Sequence, residues 1–134
     1  MLRTAQGSFE AKTAPLPVDE AIAATSISRY SLDKVYRGEL EGVSAGEMLG
    51  AGNLVKGIAG YVAIEEFTGT LRGKSGSFAL QHSSTMEGGA FDINIQVVPG
   101  SGTDDLEGIA GTLAITIAGG KHSYTLEYTL PGQP

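Results

Sequence analysis

From residue 60 to the end of the chain, apolar and polar residues alternate with a period of two, and this alternation narrows the fold more than any other property of the sequence. In GYVAIEEFTG, residues 60–69, Tyr61, Ala63, Glu65 and Phe67 share one face and Val62, Ile64, Glu66 and Thr68 the other, because successive side chains of a strand point to opposite sides. One acid therefore lies on each face. SGSFALQHS (75–83) repeats the pattern with Phe78, Leu80 and His82, and AFDINIQVV (90–98) repeats it with Phe91, Ile93, Ile95 and Val97. Two further strands carry Ile109, Leu113, Ile115 and Ile117, then His122, Tyr124, Leu126, Tyr128 and Leu130.

The first half is less regular. Residues 8–12 form a first strand, and Pro15 and Pro17 make 14–24 a loop or a short helical turn, since proline removes a ladder donor. Residues 25–32 and 34–40 read as two strands, and a glycine-rich passage to Asn53 has no clear assignment. The 20 glycines among 134 residues punctuate short apolar runs, as tight turns and bends of an all-β chain require. Strands with one apolar face, and no long helix, predict an all-β fold: a single domain over 1–134, a small antiparallel β-barrel of about six to eight strands rather than a sandwich.

Nine basic residues against 15 acidic ones give a formal charge of -6, with the basic residues scattered, so no nucleic-acid partner is expected. The absence of cysteine excludes disulfides, thiolate zinc sites and a cysteine nucleophile. The N-terminal residues contain no apolar signal-like run and no later stretch reaches membrane-spanning length, from which a cytoplasmic protein with no membrane partner is expected.

Only two histidines are present, and His82 is the one with an acid in reach. A two-residue hairpin at Gly73-Lys74, of the type with glycine first, would place Glu65 opposite His82, Phe67 opposite Leu80 and Gly69 opposite Phe78. Directly opposed side chains have Cβ atoms about 4.5–5.5 Å apart, so carboxylate and imidazole would hydrogen-bond. Two readings stand: an acid/base pair in a cavity, or a cross-strand ion pair near the barrel rim contributing about 0.2–1 kcal/mol. A one-residue slip in the turn would separate the pair onto opposite faces.

Other polar motifs carry less. VVPGSGTDDLEG (97–108) offers backbone donors but lacks the lysine and the following helix of a phosphate loop, and reads as a connection between strands. Ser101 has no nucleophile-elbow context. Asp104, Asp105 and Glu107 lack the regular oxygen spacing of a calcium loop and read as a solvated turn, and His122 joins no metal motif, so no metal and no cofactor is expected.

Taken together, YVAIE (61–65), GSFALQH (76–82), VVPGSGT (97–103) and KHSYTLEYTLP (121–131), with GSFEAK (7–12) and YRGELEGVSAGEML (36–49), resemble a bacterial family of unknown function whose members are small β-barrels like allene oxide cyclase. The resemblance implies a barrel with a lumen and self-association as a dimer or trimer. Its recurrent Glu and His fall on Glu65 and His82. By analogy with barrels that hold an apolar ligand, a small apolar or amphipathic molecule would sit among Tyr61, Phe67, Phe78, Leu80, Phe91, Ile93, Ile95, Tyr124 and Tyr128. Glu65 and His82 would orient it or act as the catalytic general base and acid of an isomerisation or cyclisation. The chain departs from the family where many members carry an aromatic-x-Glu phrase; it has Leu16, Pro17, Val18, Asp19 and Glu20, and no tryptophan to wall an entrance. The alternatives are a carboxylate-dependent (aspartic-type) peptidase or self-cleaving protein pairing Glu65 with Asp92 or Asp105, although no Asp-Thr-Gly phrase is present, and a non-catalytic oligomeric interaction barrel.

Overall fold

Strands that are apolar on one face only must bury that face, and here they do so by closing the sheet on itself. The computed structural model describes residues 1–53 and 56–132. In chain order it contains β1 (Arg3–Leu16), a single helical turn α1 (Glu20–Ala23), β2 (Ser28–Gly38), β3 (Leu40–Asn53), β4 (Ile58–Leu71), β5 (Lys74–Glu87), β6 (Ala90–Val97), a 3-10 turn (Asp104–Leu106), β7 (Ala110–Ala118) and β8 (Lys121–Thr129). Each strand pairs antiparallel with the next, and β8 returns to pair with β1, so the sheet is a closed eight-stranded barrel. Among the described residues no helix is long and apolar enough to cross a membrane.

Three expectations for the first half are corrected. β1 is longer than 8–12 and runs through Pro15, because β8 accompanies β1 only over Arg3–Ser8; beyond that β1 pairs with β2 alone, and proline is tolerated on such a free side. The two strands placed at 25–32 and 34–40 are one strand, β2, since Asp33 simply points outward between buried Leu32 and Lys34. The glycine-rich passage is the fourteen-residue strand β3. Gly46 shows why glycine is needed in it: a Cβ there would lie 2.0 Å from the Ile64 carbonyl oxygen, so β3 and β4 approach one another more closely than any side chain permits.

The turn between β4 and β5 also differs from expectation. It is Arg72-Gly73, with φ of 49° and 83°, and positive values at both central residues define the I′ geometry that matches strand twist. The register accordingly shifts by two residues: Glu65 lies opposite Leu80, His82 opposite Ala63, and Phe67 opposite Phe78. Contrary to the separation expected of a one-residue slip, moving a two-residue turn by one position moves the register by two, which keeps every side chain on its face, so Glu65 and His82 still share one.

That shared face is the interior. Tyr61, Ala63, Glu65 and Phe67 point inward, whereas Val62 and Ile64 are 54% and 58% exposed on the outer wall. One end of the barrel is packed solid: Tyr36, Phe67 and Phe78 are fully buried, with ring centroids 5.7 Å apart for Tyr36–Phe67 and 5.2 Å for Phe67–Phe78. The connection after β6 seals this end. β5 extends past the last residue of β6 that pairs with it, and residues 98–103 take over the vacant edge: Val98 N–H donates to the Ala79 carbonyl, Thr103 N–H to that of Ser77, and the Ala79 N–H to Ser101 Oγ at 2.9 Å. The Gly-Ser-Gly-Thr phrase thus satisfies a strand edge that would otherwise be open. Fully buried Leu106 follows it into the core. Nearby, the Tyr124 hydroxyl accepts the Leu40 N–H at 2.9 Å and lies within donating distance of the carbonyls of Leu40 and Arg37, pinning the bend between β2 and β3.

Candidate functional site

Midway along the barrel, the inward alternation of four strands brings five polar side chains together. β2 supplies Lys34 and Tyr36, β3 supplies Ser44, β4 supplies Glu65 and β5 supplies His82, and all five are buried. Glu65, fully buried, is the hub. Its Oε1 accepts from the Tyr36 hydroxyl at 2.5 Å and from the Ser44 hydroxyl at 2.8 Å. Its Oε2 accepts from Lys34 Nζ at 2.8 Å and faces His82 Nε2 at 2.6 Å. The His82 contact is diagonal across the β4–β5 pair, within the reach that long side chains have to a neighbour two residues beyond the opposed position.

The electrostatics follow from this arrangement. Burial alone would raise the Glu65 pKa, but the hydrogen bond from His82 and the charge of Lys34 outweigh it and hold the carboxyl at about 2. An ionised carboxylate is acceptor-only, so Nε2 is the nitrogen of His82 that carries hydrogen and donates. Burial, then the nearby Glu65 charge, push the Tyr36 hydroxyl far above its ordinary value, keeping it a donor. The Lys34 ammonium additionally sits 5.0 Å from the centroid of the Phe9 ring, a cation–π arrangement that helps offset its desolvation.

A carboxylate has about four lone-pair sites. Here four donors occupy them, from Tyr36, Ser44, Lys34 and His82. Glu65 therefore has no lone pair left with which to take a proton from a substrate; it holds other groups in place. His82 is different. Its Nδ1 has no hydrogen-bond partner among the described residues, yet it is not a sealed, unsatisfied atom.

At the end of the barrel away from the 98–109 seal, a cavity of about 230 Å³ opens among Tyr30, Met48, Gly50, Tyr61, Met86 and Phe91, with Ser84 in its wall. Tyr61 and Ser84 face one another across β4 and β5, and His82 lies one inward position deeper, opposite the small Ala63. The rings of Tyr61 and His82 are 6.5 Å apart, so the cavity wall adjoins the polar cluster. Burial and the Glu65 charge raise the pKa of the Tyr61 hydroxyl, which stays protonated.

A family model described as "Protein of unknown function (DUF3224)" matches residues 5–128. The chain belongs to that family. A crystal structure of a DUF3224 member of unknown function from Shewanella oneidensis MR-1 aligns with a TM-score of 0.90 and 41% sequence identity, covering 99% of this chain and 100% of that one. No curated protein matches. The family assignment and the barrel expected from the sequence phrases are thus both found.

The site residues named from sequence divide into groups. Glu65 and His82 are in contact. Tyr61 and Phe91 border the cavity, Ile93 packs partly buried against the core, and Ile95 is buried. Phe67, Phe78, Leu80, Tyr124 and Tyr128 are at most 2% exposed and belong to the packed core, not to the cavity wall. Asp92 is exposed on the outer face of β6, and Asp105 lies in the 3-10 turn at the sealed end, so neither acid stands beside Glu65. Sequence reading missed Lys34, Tyr36 and Ser44. Lys34 and Tyr36 share parity with Leu32, a signal lost when the strand was divided at Asp33.

Proposed function

We propose that this protein holds a small amphipathic molecule in the open half of the lumen, its apolar part among Tyr30, Met48, Met86 and Phe91 and its polar end toward Ser84, on the side where His82 lies one inward position deeper. The observation that carries this reading is the adjacency of an aromatic and methionine-lined cavity to a buried, pre-ordered polar cluster. Small-ligand sites have this composition: apolar walls with a few fixed polar groups. At about 230 Å³ the cavity is smaller than the roughly 300–1,000 Å³ typical of drug-sized ligands, which favours a fragment-sized occupant. Buried charges are costly unless a role or a partner compensates them, and a barrel filled only for stability would use apolar residues at these positions. Acid/base chemistry, if the site performs it, falls to His82 Nδ1, since every lone pair of Glu65 is occupied.

Gly50 provides the test. A Cβ built on it meets nothing closer than 3.6 Å, so a larger side chain there grows into the cavity without striking backbone. Gly50→Leu is expected to keep the unfolding midpoint of the wild type while abolishing thermal stabilisation by small aromatic alcohols such as 2-phenylethanol. Equal stabilisation of both proteins would place binding elsewhere, and none in either, across a lipophilic fragment set, would end the proposal.

A further inference from the structure

The cavity at the open end is built in layers, and the strand register fixes the chemistry of each. The middle layer crosses β2 to β5 as Ser28, Gly50, Tyr61 and Ser84, each opposite the next. The layer toward the mouth carries Met86 opposite Phe91, and the layer below carries Tyr30 opposite Met48. All of these residues line the cavity, so hydroxyls form a belt between two apolar layers. We infer that this belt selects uncharged aromatic molecules carrying a hydrogen-bonding oxygen, alcohols and phenols in the first instance, and rejects acids and amines of the same shape. This deepens the lumen-binding reading and rests on it.

The hydroxyls of the belt are uncommitted. Those of Ser28, Tyr61 and Ser84 are hydrogen-bonded to no described residue, and none is sealed from solvent, although Ser84 is only 6% exposed. A hydroxyl both donates and accepts, so each can meet an alcohol or phenol oxygen in either sense. Gly50 leaves the belt without a side chain between Ser28 and Tyr61. A Cβ there would meet nothing closer than 3.6 Å, which leaves room for a ligand oxygen with a hydroxyl on either side. The thioethers of Met86 above and Met48 below suit an aromatic ring, against which sulfur packs favourably.

Charge excludes ions from the same place. Among the described residues no acidic or basic side chain, histidine included, lines the cavity. The charged pair deeper in the barrel is self-contained: Glu65, two inward positions below Tyr61, has every lone pair occupied, and Lys34 is bonded to it. An ion in the belt would exchange water for walls that hold no counter-charge, which is costly. A hydroxyl gives up far less hydration and regains its hydrogen bonds.

Isothermal titration calorimetry at pH 7 with 2-phenylethanol, phenylacetate and 2-phenylethylammonium, which share a ring and a two-carbon tail, tests this. The alcohol is expected to bind, and each ion to bind at least about tenfold more weakly. The rejection of phenylacetate should persist in about 0.5 M salt, where long-range repulsion from the net charge of -6 is screened. Tyr61→Phe and Ser84→Ala should each weaken the alcohol by at least about fivefold. If the alcohol binds but either ion comes within tenfold of it, at low or high salt, the inference is overturned and lumen binding stands. An ammonium that binds more tightly than the alcohol would overturn it in favour of a cation held by the rings of Tyr30, Tyr61 and Phe91. Alcohol binding unchanged in both variants would overturn the belt as the recognising group. If none of the three probes binds, the inference and the lumen-binding reading both fall.

Discussion

Replacing Glu65 by Gln removes the charge on which the central cluster is organised while conserving its shape. The amide offers one acceptor oxygen in place of two, so its NH2 group must face either the Lys34–His82 side, where Lys34 can only donate, or the Tyr36–Ser44 side, where the hydroxyls can turn to accept. The second arrangement keeps hydrogen bonds but leaves the buried Lys34 ammonium without its counter-charge, and breaking a buried pair in this way costs about 3–5 kcal/mol. The pH dependence supplies an independent magnitude. The folded-state pKa of Glu65 is depressed from 4.5 to about 2. A depressed carboxyl contributes stability that is fully present above the unfolded pKa and is lost as pH falls through the folded one, here across the window from about pH 5 to pH 2. That shift corresponds to about 3 kcal/mol. Urea unfolding of wild type and Glu65→Gln at pH 7, 5, 4, 3 and 2.5 should therefore give a stability gap of several kcal/mol at pH 7 that narrows steadily in acid. A gap below about 0.5 kcal/mol at pH 7, or one that is constant down to pH 2.5, would refute the account of Glu65 as an ionised hub.

Two further expectations concern the sealed end. Tyr124→Phe leaves the ring in place but deprives the Leu40 N–H of its acceptor, and should cost about 1–3 kcal/mol in urea unfolding, with the Leu40 amide exchanging faster; no change in either would mean that the hydroxyl does not pin the β2–β3 bend. Ser101→Ala removes the oxygen that accepts the Ala79 N–H and donates to the Val98 carbonyl, so hydrogen exchange should accelerate at Ala79 while Leu80, whose backbone faces Glu65 on β4, keeps its protection.

How far the sequence discloses this molecule depends on how each segment satisfies its backbone. Residues 60–130 are legible because alternation alone assigns each side chain to a face, and that assignment survives a turn misplaced by one residue when the register changes by two, as happened between Glu65 and His82. β3 was illegible for the opposite reason: with Gly42, Gly46, Gly50 and Gly52 on its inner face, it lacks the apolar half of the pattern, and its strand character comes from pairing with β2 and β4. The loss of Lys34 and Tyr36 has the same root. A buried lysine reads as a break between strands unless the acid that neutralises it is known, and Glu65 is 31 residues away in the chain, on a strand that is not even adjacent in the sheet. The aromatic residues expected to line a lumen fill it at one end instead, because periodicity distinguishes inside from outside but not depth along the barrel axis.

The pairing of β1 with β8, from Arg3↔Tyr128 to Ser8↔Ser123, bears on how the chain is made. A meander of this kind acquires nearly all of its neighbours locally, hairpin by hairpin, but its final suture joins the two ends of the sequence, the contact with the greatest loop-closure cost. During synthesis the nascent sheet must wait, open along two edges, until the last strand has left the ribosome. Open edges recruit other strands. Chains truncated within β8 should therefore aggregate rather than accumulate as a shortened soluble form, although they retain every residue of the polar cluster.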